Sequence, residues 1–181
     1  MINLIGIVGT GAVESTNRKL LQYMKRNFST QATIEIYELT NLPFFDKPVS
    51  QTAPEIIARL SQKIVEADGV IISTPEYDHT IPAALASLLE WFAYTTQPLR
   101  DKPVMITGAS YGVLGTSRAQ SHLRQILNAP ELSGLLMPGR EYLLGGSLQA
   151  FTAAGELTDV AKKEELDRYF GDFMQFVAKN R

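Results

Sequence analysis

The chain has 181 residues, 45% of them hydrophobic and 20% charged, with a formal net charge of -2 and no cysteine. That is ordinary soluble usage and enough chain for one domain with a real core, so disorder is not expected. The charge balance gives no support to nucleic-acid or membrane-surface partners, and the missing cysteines exclude disulfides, thiolate metal sites and a cysteine nucleophile.

Apolar runs then alternate with amphipathic stretches. Ile2–Val8 reads as a buried first strand; with no basic leader before it, the expected location is cytoplasmic. Asn17–Phe28 carries Leu20, Leu21, Met24 and Phe28 at helical spacing. Thr33–Leu39 alternates isoleucines with glutamates, as a half-exposed edge strand does. The next helix is expected over Pro54–Ala67, after a Leu42–Thr52 loop, and Gly69–Ser73 is the third strand. A third helix is predicted over Ala83–Tyr94, a fourth strand over Lys102–Gly108 and a fourth helix over Thr116–Leu127. Leu135–Met137 is the fifth strand and Ala161–Val177 the last helix.

Strands joined by helical crossovers predict an α/β, doubly wound, flavodoxin-like domain over residues 1–181. Its five-stranded parallel sheet is expected in the order 2-1-3-4-5, with helices on both faces. Ligands of such sheets bind outside the carboxyl ends of the strands, at the switch point between strands one and three.

Three loops lie at that edge. The first, Gly9–Asn17, lacks the third glycine of a dinucleotide fingerprint and the Gly-Lys-Ser/Thr of a P-loop. It offers the hydroxyls of Thr10, Ser15 and Thr16 and the amide of Asn17 beside a helix N-terminus, donors that suit a phosphate. Ser15 or Thr16 also reads as a plain helix cap. The second loop carries Pro75, Glu76, Tyr77 and Asp78 between two prolines. A stiff loop of this kind can present backbone donors and aromatic cover to a flat heteroaromatic, or hold solvated turn residues. His79 is given no role. The third loop carries Ser110, Tyr111, Gly112 and Gly115 before a helix bearing Arg118, His122 and Arg124. Glycines there permit close backbone approach, and are also common in turns of this fold. Together, the three loops are where one ligand at the switch point would be held.

On these residues the chain resembles the NADPH-dependent FMN reductases, a group that includes quinone, chromate and azo-dye reductases. Gly9, Thr10, Ser15 and Asn17 match its first motif. Pro75, Glu76, Tyr77, Asp78, Thr80, Pro82, Glu90 and Trp91 match or nearly match its second. Gly108, Ala109, Ser110 and Gly112, followed by Arg118, Ala119, Gln120, Leu123 and Arg124, match its third, and Phe151, Gly155, Leu157 and Asp159 resemble its last loop. The resemblance implies that Thr10, Ser15 and Asn17, with Thr16, hold the FMN phosphate. Pro75–Asp78, Ser110, Tyr111, Gly112 and Gly115 would then line the ring. It also implies a homodimer or homotetramer, with Arg118, Arg124 and Tyr94 as interface groups.

The implied activity is an NAD(P)H oxidoreductase that passes hydride to bound FMN and then electrons to a quinone, azo compound, metal oxyanion or free flavin. The cofactor carries that chemistry, so no catalytic acid, base or nucleophile is required. A flavodoxin-type electron carrier is opposed by the modest net charge of -2. A flavin-free module for another phosphorylated ligand is kept open by Ala12, which stands where the family has arginine. Asp78 replaces a family asparagine, and a carboxylate beside the ring predicts that Asp78→Asn raises the flavin midpoint potential.

Overall fold

Three apolar runs, β1 (Ile2–Val8), β3 (Gly69–Ser73) and β4 (Pro103–Ala109), form the centre of a parallel sheet in the computed structural model, which describes residues 1–180. β3 and β4 are buried at every position, as strands covered on both faces must be. β2 (Ala32–Glu38) alternates buried and exposed residues over its first half and forms the edge beside β1. The order β2-β1-β3-β4-β5 is the expected one.

The outer edge of β4 differs from expectation. β5 is only Leu135–Leu136, paired with Pro103–Val104, and a further strand, β6 (Tyr142–Leu144), pairs with Thr107–Ala109. The sheet therefore has six strands rather than five. Pro138 and Gly139 (φ 92°) lie between the two short pieces; proline lacks the ladder donor and glycine takes a backbone conformation foreign to strands.

Helices cover both faces. α1 (Thr16–Asn27) and α5 (Val160–Lys179) pack on one, where Phe28 and Phe170 stack with centroids 3.8 Å apart. α2 (Glu55–Glu66), α3 (Ala83–Trp91) and α4 (Ser117–Leu127) build the other core, around Ile57, Leu85, Trp91 and Leu123. The third helix does not run unchanged to Tyr94: it widens after Trp91 into a π-helical turn, Phe92–Thr96, closed by left-handed Gln97. No helix among the described residues is long and apolar enough to cross a membrane.

Candidate functional site

The carboxyl ends of β3 and β4 are joined by one buried side chain. Asn17, in the first turn of α1 and 2% exposed, donates through Nδ2 to the Ala109 carbonyl at 2.9 Å. Its Oδ1 accepts from the Ala109 N–H and from Ser73 Oγ, both at 2.9 Å. Two strand ends are thereby fixed relative to one helix N-terminus.

Beside this junction lies a cavity of about 620 Å³ walled by all three loops. Ten of the twelve residues expected from the sequence line it: Thr10, Ser15, Thr16, Asn17, Pro75, Glu76, Tyr77, Ser110, Tyr111 and Gly112. Asp78 and Gly115 do not. A Cβ on Gly115 (φ 57°) would lie 2.6 Å from the Leu143 carbonyl carbon, so this glycine serves the packing of its loop on β6. Asp78 sits in a hairpin tip, so the potential shift anticipated for Asp78→Asn is not carried by the geometry.

That hairpin is tight. Tyr77 and Thr80 exchange both backbone hydrogen bonds at 3.0 Å, and the two residues between them, Asp78 (φ 50°) and His79 (φ 64°), are left-handed. This is the type I′ pattern, which aspartate and histidine tolerate better than most residues. The turn stands Tyr77 over the first loop, where its hydroxyl bonds Thr10 Oγ1 at 3.0 Å.

The hydroxyls at the phosphate end are partly engaged. Ser15 is the N-cap of α1, its Oγ accepting from the Arg18 N–H at 3.2 Å, so the cap reading of the sequence holds. A capping serine retains its own O–H proton for an anion in the cavity. Thr10 Oγ1 accepts from the Ala12 N–H at 3.2 Å, and Thr16 Oγ1 bonds Ser147 Oγ at 2.9 Å. Asn17, expected to hold a phosphate by its side chain, instead commits its amide to β3 and β4. What this end offers an anion is the Ser15 hydroxyl and the N–H groups of Thr16 and Asn17, which no intrahelical carbonyl reaches.

Arg18 supports the loop from behind. It grips Glu38 with Nε at 2.6 Å and Nη2 at 2.8 Å, and donates to the carbonyls of Val13 (2.7 Å) and Ala12 (3.0 Å). Four hydrogen bonds thus commit its guanidinium to the loop backbone and to Glu38, and it does not replace the arginine missing at Ala12.

At the other end Glu76 ties the hairpin to α4. Its side chain, 12% exposed, accepts from the backbone N–H groups of Arg118 (3.1 Å) and Ala119 (3.3 Å) and from Arg118 Nη1 (3.4 Å). Burial alone would push this carboxyl up. The bonds from Ala119, Arg118 and His79 outweigh it and hold Glu76 below the usual carboxylate value. Arg118 Nη1 also lies 2.8 Å from His79 Nδ1, so His79 is part of the cluster after all. Arg118 lines the cavity, a place for it that the sequence reading missed. Arg124 folds back toward Met137 O and Glu141 of its own chain.

Ala12, Glu14, Ala109, Val113 and Leu114 complete the wall. Val113 is 91% exposed and Tyr111 62%, apolar surface left uncovered at the mouth. Two aliphatic residues inside a glycine-rich loop were the signal for this wall, since an exposed loop has no reason of its own to carry them.

The cavity suits a phosphorylated flat ligand. Its size is that of a cofactor site, one end presents hydroxyl and N–H donors, and the other presents Tyr77, Tyr111, Val113 and Leu114. A Cβ on Gly112 would meet no atom within 4 Å, so the backbone there faces open space a ring can approach. Fold and site together define a flavodoxin-like domain with a cofactor-sized cavity at its switch point.

Comparison with known proteins agrees. Residues 2–149 match the family described as NADPH-dependent FMN reductase, and the chain belongs to that family. It is 55% identical to the NADH:(hydroxy)cinnamate reductase subunit CrdA of Vibrio ruber, over 97% of this chain and 87% of that protein. It is 42% identical to the NADH-dependent flavin reductase subunit 2 of Lactobacillus johnsonii, over 97% of each. The solved structure of FerB, a flavoenzyme NAD(P)H:(acceptor) oxidoreductase from Paracoccus denitrificans, superposes with a TM-score of 0.87 over 99% of each chain at 24% identity, a likeness of fold. The protein is thus an oxidoreductase that uses FMN and a reduced nicotinamide nucleotide.

Proposed function

We propose that this chain oxidises NADH in preference to NADPH through FMN held in the cavity, and delivers the electrons to a second acceptor at the same open mouth. The observation that carries this is the junction of a donor-rich helix N-terminus with an uncovered apolar wall at the sheet's switch point. When bound, the flavin supplies the redox chemistry. Ser15 and the first turn of α1 hold its phosphate, Tyr77 and Tyr111 cover the ring, and the Glu76–Arg118 tie keeps the two ring loops in register.

The relatives from Vibrio ruber and Lactobacillus johnsonii are both named for NADH and both named as subunits. Those names favour NADH as the donor and an assembly with a partner polypeptide, with a quinone, azo compound, metal oxyanion or free flavin as the class of acceptor. The reading includes a homodimer or homotetramer as the unit that meets the partner, in the cytoplasm.

The test is a visible spectrum of the purified protein with added FMN, then anaerobic NADH or NADPH. A bound oxidised flavin absorbing near ~450 nm is expected to bleach faster with NADH than with NADPH. No FMN binding with cofactor in excess would sink the reading, and a clear advantage for NADPH would remove the donor preference.

A further inference from the structure

Glu14 is an acid where the proposed function needs an anion held. It lines the cavity and directly precedes Ser15, the N-cap of α1. Its side chain is exposed, and its electrostatic neighbour is Arg18, itself bound to Glu38. A carboxylate at a helix N-terminus is drawn to the same partial positive charge that draws a phosphate. The two anions therefore compete for one electrostatic site.

Nothing on the wall offsets this. The charged lining residues are Glu14, Glu76 and Arg118, a formal sum of -1, and Arg118 is already paired with Glu76. Arg18 and Glu38 cancel each other behind the loop, and Ala12 contributes no charge. A phosphate dianion thus enters a wall without a free cation.

We propose that Glu14 makes the flavin exchangeable: it weakens the grip on the phosphate so that FMN is held little more tightly than riboflavin and leaves readily. The proposal rests on the reading of the cavity as a flavin site and names the ligand class it releases, a free flavin.

The experiment measures dissociation constants for FMN and riboflavin by quenching of flavin fluorescence, in the unaltered protein, Glu14→Gln and Ala12→Arg. Riboflavin has the same ring and no phosphate, so it reports everything except the phosphate interaction. Glu14→Gln is expected to tighten FMN by about three- to ten-fold, the scale of one exposed charge near a helix terminus acting on a dianion, and to leave riboflavin unchanged. Ala12→Arg should move FMN the same way, and added salt should shrink both gains. An FMN-to-riboflavin ratio that Glu14→Gln leaves unchanged overturns the role of Glu14. An unaltered protein that already binds FMN more than a hundred-fold more tightly than riboflavin overturns exchangeability. Binding of neither flavin by any variant instead overturns the cavity assignment, and the proposal with it.

Discussion

Asn17→Ala is expected to lower folding stability by about 3–5 kcal/mol, from three lost hydrogen bonds and the buried groups they leave behind. The Ala109 N–H, the Ala109 carbonyl and Ser73 Oγ each lose a partner, at residues 1% and 0% exposed. An intramolecular bond of this kind contributes on the order of 1 kcal/mol net, and an orphaned buried group costs about 1–3 kcal/mol. Asn17→Asp should not rescue it, because a carboxylate lacks the donor that meets the Ala109 carbonyl and places a charge where little water reaches. Urea denaturation checks both variants. A loss under about 1 kcal/mol in Asn17→Ala would mean that water enters and replaces the amide. FMN binding should weaken in the residual folded protein as well, since this amide fixes the first loop against the third.

The strands and their order were legible because buried parallel strands leave continuous apolar runs, and Val70–Ile72 is such a run ended by Thr74-Pro75. The convergence of three loops followed from topology, and ten of the twelve expected residues do meet in one cavity. What was not legible lies in pairings between distant positions. β6 is three residues, Tyr-Leu-Leu, and becomes a strand only because β4 has an open edge beside it. Asn17 looked like a ligand group because its residue type and place fit one, while its partners stand 56 and 92 positions away. The stretch Glu76–Thr80 reads as a polar turn, but with no glycine at Asp78 and His79 its two left-handed positions were not marked. Arg118 and Glu76 are 42 positions apart, and helix periodicity alone could not tell an interface arginine from one turned to the site.

Glu76→Gln is expected to cost about 1–3 kcal/mol near neutral pH, the range of a hydrogen-bond set in which the acceptor is ionised. The carboxylate caps α4 from another loop: Thr116 precedes the helix with φ 69° and makes no side-chain capping bond, leaving the Arg118 and Ala119 N–H groups to Glu76. A neutral amide still accepts one bond but loses the charge that favours a helix N-terminus and Arg118. The sign of the pH dependence follows from the folded protein holding this carboxyl below its ordinary value of 4.5. Its stabilisation is then fully present above that value, and is lost as the pH falls through the lower folded value, because the unfolded chain takes up the proton first. The stability gap between the unaltered protein and Glu76→Gln should therefore be widest near neutrality and close as the pH falls below 4.5, followed by denaturant midpoints at each pH. A gap that stays constant across that fall would show that the side chain acts through shape alone. The same variant should weaken flavin binding at neutral pH, because Glu76 joins the Tyr77 hairpin to the first-turn N–H groups of α4, and the ring needs both held still.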